Sequence, residues 1–159
     1  RHSSAASDVY KRQIYIFIIF LLFLKIQVSA NEINIVSDRL EINDNTNESI
    51  FIGNVYAEED TFKIWSEKMI VKFDKNRDQI DEIRSFNNVK IHHNDMTTNS
   101  DQALYLPSSQ ILKLTGNVHV TQDGNIIKCE ELILDIKNST SIIKGNSKNR
   151  LEATIISEE

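Results

Sequence analysis

Two short signatures recur along this chain in an interleaved register, and that recurrence limits the fold more than any other feature. The first is Gly53-Asn54-Val55, which returns as Asn87-Asn88-Val89, Gly116-Asn117-Val118 and Gly145-Asn146-Ser147, with the asparagines spaced 34, 29 and 29. Three of the four glycines in the chain occupy this one position. The second is a small residue, an acid, any residue, then apolar residues two apart. It reads Ser37-Asp38-Arg39-Leu40-Glu41-Ile42, then Ser66-Glu67-Lys68-Met69-Ile70-Val71, Ser100-Asp101-Gln102-Ala103-Leu104-Tyr105 and Cys129-Glu130-Glu131-Leu132-Ile133-Leu134. Its first residues are spaced 29, 34 and 29. Each signature is short, but two of them in step are hard to obtain by chance.

The segments between turns read as strands. Thr61–Phe73 is rich in Ile, Val, Phe and Trp, and Val118–Thr121, Ile126–Ile127 and Leu132–Ile136 are similar. Apolar residues alternate after the second signature, at Leu40/Ile42, Met69/Val71/Phe73 and Leu132/Leu134/Ile136. They also precede it, at Ile35, Ile64 and Ile127. The parity does not carry through. Ile64 and Met69 lie five apart, so on one regular strand they face opposite sides. An extra residue at the small-acid pair restores them to one side. The spacing therefore predicts kinks at Ser37, Ser66, Ser100 and Cys129, and a sheet bent into a trough. The Gly-Asn positions suit a positive φ. Polar turns fall at 43–48, 74–79, 122–125 and 137–141, and Asp123-Gly124 is a hairpin signal. No stretch after residue 30 sustains helical apolar spacing. The expectation is an all-β, antiparallel fold with one apolar inner face.

The first thirty residues stand apart. Residues 1–13 lack any core pattern and resemble a translated cloning scar. Ile14–Leu24 is an uncharged apolar run, followed by Val28-Ser29-Ala30 with small residues at the positions a signal peptidase reads. The run is too short to span a bilayer. Residues 14–30 thus read as a signal peptide cleaved after Ala30, and 31–159 as one exported domain. Residues 31–159 hold 14 bases and 22 acids, which disfavours nucleic-acid binding. Cys129 is the only cysteine, so no intrachain disulfide forms, and it reads as a small buried residue.

No motif for catalysis, nucleotide binding or a cofactor is present. His92 and His93 are adjacent, so on a strand they diverge and do not converge on a metal. His119 reads as structural. Glu58-Glu59-Asp60 and Asp81-Glu82 read as solvated charge near turns. The expectation is a protein that is not an enzyme and holds no metal. Trp65 and Tyr105 are candidate rim anchors, although a lone aromatic on a strand usually just packs.

Repeated G-N-V turns, with S-[DE]-x-apolar-x-apolar strands between them and a signal peptide in front, resemble the OstA-like family over about residues 32–156. Gly53-Asn54-Val55 and Gly116-Asn117-Val118 carry the resemblance best. Asn87-Asn88-Val89 lacks the glycine and Gly145-Asn146-Ser147 lacks the valine, so the last rung is expected to be irregular. The resemblance implies a V-shaped β-jellyroll in the periplasm. It implies an interior that shields the acyl chains of lipopolysaccharide on the way from inner to outer membrane. It also implies end-to-end self-association, with an inner-membrane LptC-like partner and an outer-membrane LptD-like one. The implied lipid-contacting groove is Leu40, Ile42, Phe51, Ile64, Met69, Val71, Phe73, Val89, Ile91, Leu114, Val118, Leu132 and Leu134. Structural turns are expected at Gly53, Asn54, Asn88, Gly116, Asn117 and Gly145. Inward apolar residues are ordinarily core, and the implied arrangement is a mixture, core-like in the middle rungs and lipid-contacting at the mouth. Lys63, Lys68, Lys72 and Lys90 are local bases for phosphorylated sugars. The alternatives are a membrane-anchored LptC-like relative, in which residues 14–30 stay attached, and a structural or carbohydrate-binding β-repeat protein.

Overall fold

A computed structural model describes residues 33–148 and 150–156. The expected signal segment 14–30, its cleavage point and residues 1–13 lie outside the described residues. The order is β1 (Asn34–Val36), β2 (Arg39–Asn43), β3 (Glu48–Glu59), β4 (Phe62–Phe73), β5 (Ile80–His93), β6 (Met96–Leu106), β7 (Ile111–Gln122), β8 (Asn125–Asp135), β9 (Thr140–Lys144) and β10 (Glu152–Thr154). All ten form one antiparallel sheet. Each strand from β3 to β8 pairs with its sequence neighbour, as short polar turns dictate. Asp123 and Gly124 both take positive φ (50° and 79°) and close the β7–β8 hairpin as its composition requires.

A line of bulges crosses the sheet. Register shifts between Ile52 and Val55, Trp65 and Lys68, Phe86 and Val89, Asn99 and Gln102, and Thr115 and Val118. The two signatures meet there as cross-strand partners: Val55 faces Ser66, Val89 faces Ser100, and Val118 faces Cys129. Ser66 and Met69 are both buried although three apart, as are Cys129 and Leu132. The parity break is therefore where the sequence placed it. The extra residue is not. In every pair it sits on the strand carrying the asparagine, opposite the small-acid strand, because the left-handed Gly-Asn pair is what a bulge can absorb.

The line divides the sheet into two arms. Arm I holds β1, β10 and the halves of β3–β8 that include Ala57, Ile64, Ile91 and Val120. Arm II holds β2, β9 and the halves that include Met69, Ala103, Leu114 and Leu132. Inner faces of the two arms pack together: one buried cluster unites Val89, Ile91, Val118 and Val120 of arm I with Ala103, Leu112, Leu114 and Leu132 of arm II. A second gathers Val55 and Ala57 with Met69 and Val71. Fully burying one such side chain contributes about 1.5–3 kcal/mol.

One feature departs from expectation. Arm II also carries apolar residues outward, in a row reading Ile50, Ile70, Arg84, Leu104, Lys113, Ile133 and Ile142. Ion pairs of Arg84 with Glu48 and Glu82, and of Lys113 with Glu131, draw the long basic side chains over this face. The last rung is interrupted, as the missing valine suggested: β9 ends at Lys144, and the chain rejoins β8 only at Glu152.

Candidate functional site

Each corner is held by the same side-chain contact. Asn54 Nδ2 donates to Asp38 (2.8 Å), Asn117 Nδ2 to Asp101 (2.9 Å), and Asn88 Nδ2 to Glu67. The small residue of the second signature completes the corner: Ser37, Ser66 and Ser100 each donate a hydroxyl to the carbonyl two residues on. Cys129 takes the fourth such position, buried, its thiol pushed up by burial and then by the nearby Glu130 charge. These contacts fix where the arms diverge, and so where an opening lies.

The opening is an apolar cleft between the arms, of about 110 Å³. Arm I contributes Ala57, Phe62, Ile64 and Ile91. Arm II contributes Met69, Ile83, Tyr105 and Leu112. At the mouth stand Ile33, Glu58, Glu59 and Ile136. The Tyr105 phenol is pushed up by burial and further by the Glu59 carboxylate, an acid of the opposite arm. Tyr56 Oη donates to Glu58 (2.6 Å), which raises the Tyr56 phenol's pKa. Phe62 stacks on His93 at 4.0 Å between centroids, and His93 Nδ1 lies 3.1 Å from Thr61 Oγ1. His92 instead meets Thr97, so the two imidazoles serve different neighbours.

Of the residues expected in the groove, Ile64, Met69 and Ile91 line the cleft. Val71, Val89, Leu114, Val118 and Leu132 are buried where the arms have already closed on each other. Phe51, Phe73 and Leu134 are half-buried against those clusters. Leu40 and Ile42 lie on the edge strand β2, 50% and 61% exposed. Among the expected turn residues, Gly53, Asn54, Asn88, Gly116 and Asn117 hold the corners, while Gly145 falls in the interrupted last rung. Tyr105 lines the cleft on the wall of arm II, but Trp65 points out from the sheet's other face because Ile64 and Ser66 beside it point in. Ala57 and Ile83 line the cleft as well and were not among the residues expected in the groove. Their signal was their register, on the inner rows that also carry Ile64 and Val71.

The described residues contain strands and no helix, and this geometry defines a class: β-jellyrolls in which one antiparallel sheet folds over an apolar interior. The family model described as "LptA/(LptD N-terminal domain) LPS transport protein" matches residues 34–140, and the chain belongs to that family. The match ends as β9 begins, where the rungs lose regularity. Among solved structures the fold is similar to that of LptH, described as the LptA homologous periplasmic component of the conserved lipopolysaccharide transport device from Pseudomonas aeruginosa. The TM-score is 0.70 at 16% identity, covering 80% of this chain and 96% of that one. No curated protein matches the sequence.

Proposed function

We propose that this chain is a periplasmic bridge module that carries lipopolysaccharide by sheltering its acyl chains between the two arms. The observation that carries the reading is the cleft, walled by apolar side chains of both arms and open at a mouth bounded by Glu58 and Glu59. Each methylene moved from water into such a place contributes about 0.8 kcal/mol without a directional contact, so chains are held yet can slide. The cleft of about 110 Å³ equals only a few water volumes of ~30 Å³. Several acyl chains therefore require the arms to part. That exchange replaces apolar contact between arms with apolar contact to lipid and costs little net burial. Carriage of this kind involves no catalysed reaction.

Photocrosslinking tests the reading. A photoreactive residue at Ile64 or Ile91 is expected to capture lipopolysaccharide, and one at outward-facing Ile70 or Leu104 is not. Equal labelling from both faces would remove the cleft from the mechanism. Bridging is proposed to use the sheet's ends, where, among the described residues, β1 and β2 at one edge and β9 and β10 at the other have no further strand beside them. Copies of the chain, an LptC-like and an LptD-like partner are the proposed neighbours there. The signal peptide reading predicts an exported form that begins at Asn31, whereas an LptC-like anchored form would retain residues 14–30; intact mass separates them.

A further inference from the structure

The outward face of arm I carries a feature that the cleft does not use. Read across the strands in register, β3 to β8 present Tyr56, Trp65, Lys90, Asn99, His119 and Lys128 side by side. At strand spacing this strip is ~24 Å long. Trp65 is the only tryptophan, and it lies 37% exposed on this outer face. Its ring centroid is 5.2 Å from that of Tyr56, and Lys90 Nζ stands 5.6 Å from it. The adjoining row adds Lys63 and His92.

Charge on these two rows runs against the rest of the molecule. The chain has 23 acids to 18 bases. The rows across β3–β8 hold three lysines against one acid, Glu58, whose carboxylate accepts a hydrogen bond from the Tyr56 hydroxyl; two histidines, outside that count of bases, lie among them. The acids Glu67 and Asp101 bound the strip on its corner side, their carboxylates turned to Asn88 and Asn117. At the far end, His119 and Lys128 join Lys148, Arg150 and Glu152 around a depression of mixed polar and apolar lining beside the interrupted last rung. Lys128 Nζ also meets Glu152 at 3.5 Å.

We propose that this strip binds an anionic oligosaccharide. Flat aromatic faces accept the apolar face of a sugar ring, and the indole N–H and phenol supply polar edges. Lysines spaced along the strands then meet phosphate or carboxylate substituents. The strip lies on the opposite face of the sheet from the cleft, so this inference does not rest on the lipid reading.

Trp65, being the only tryptophan, reports on its own site. Titration of the full chain with a fully deacylated, phosphorylated oligosaccharide is expected to change tryptophan fluorescence saturably and to weaken with added salt. The dephosphorylated oligosaccharide, and separately a Lys90→Glu/Lys128→Glu variant, should each lose about tenfold or more in affinity. Both lysines are exposed, so the variant is expected to fold; Trp65→Ala, followed by calorimetry, should also lose binding. An Ala57→Trp variant, with the cleft filled and binding followed by calorimetry because a second indole is present, should keep its saccharide affinity, which separates this site from lipid capture. No saturable response at millimolar saccharide, an affinity indifferent to salt and to both lysines, or an equal response to inorganic phosphate alone would each overturn the proposal.

Discussion

Asn54, Asn88 and Asn117 each sit at a positive φ and donate to an acid of the small-acid signature, on β4 and β6 for Asn88 and Asn117 and between β1 and β2 for Asn54. The residue before them explains a detail of the sequence. A Cβ on Gly53 or Gly116 would overlap the carboxylate of Asp38 or Asp101. Asn87 does carry a Cβ, and there the acid is Glu67, one methylene longer. We expect Gly116→Ala to cost about 1–3 kcal/mol from strained φ plus overlap. In an Asp101→Ala background the overlap part should vanish, leaving the backbone part, as urea denaturation of the four-member cycle will measure. Glu67→Asp should destabilise on its own and be partly rescued by Asn87→Gly. Both signatures were legible in the sequence, but the hydrogen bond joining them was not, since their separation along the chain hides that they are cross-strand neighbours. A second residue-scale expectation concerns pH. Hydrogen bonds from Lys113 and Lys144, each 2.7 Å away, hold the Glu131 carboxyl below the usual carboxylate range. A folded value below the unfolded one stabilises fully above the unfolded pKa and is lost as pH falls through the folded value. Glu131→Gln should therefore flatten part of the acid limb of the stability–pH curve and leave little difference from the parent at the lowest pH.

At the scale of elements, parity of apolar residues was enough to place the corner, because Ile64 and Met69 cannot share a face on a regular strand. It was not enough to assign the extra residue to the right strand, which depends on which backbone adopts the left-handed conformation. Nor did it show arm II as apolar on both faces: runs such as Met69-Ile70-Val71 satisfy an inward pattern whichever face is read, and cover by Arg84 and Lys113 comes from neighbouring strands through ion pairs that the linear sequence does not display. The edges follow from chain order. Strand β2 exposes Leu40 and Ile42, and β9 exposes Ile142 at 56%. Short apolar edges with unpaired backbone invite another strand. Leu40→Lys with Ile42→Lys should suppress concentration-dependent end-to-end oligomers while leaving the melting temperature nearly unchanged. Light scattering and thermal unfolding on the same samples check it, and undiminished oligomers would place self-association elsewhere.

Across the whole molecule the interior is uneven from end to end. Towards β7 and β8 the arms are closed by Leu114, Val118 and Leu132, at 0%, 0% and 3% exposure. Towards β3 to β5 the interior opens beside the second cluster as the cleft, where the small Ala57 stands among Phe62, Ile64 and Met69. Alternation could not distinguish these regions, since leucine and isoleucine point inward in both and only side-chain size in the facing arm separates core from cleft. Two substitutions turn the difference into a measurement. Leu114→Ala leaves a cavity in the closed end and should cost about 2–5 kcal/mol of stability. Below the melting transition it should leave lipopolysaccharide binding within a few-fold of the parent. Ala57→Trp fills the open end. It should cost less, about 1–3 kcal/mol from overpacking, yet reduce lipid binding by tenfold or more, about 1.4 kcal/mol of binding free energy. The two effects cross over: the larger loss of stability accompanies the smaller loss of binding. Should binding instead fall in proportion to stability in both variants, acyl chains would be occupying the closed core by general loosening of the fold, and the open end would have no special part in capture.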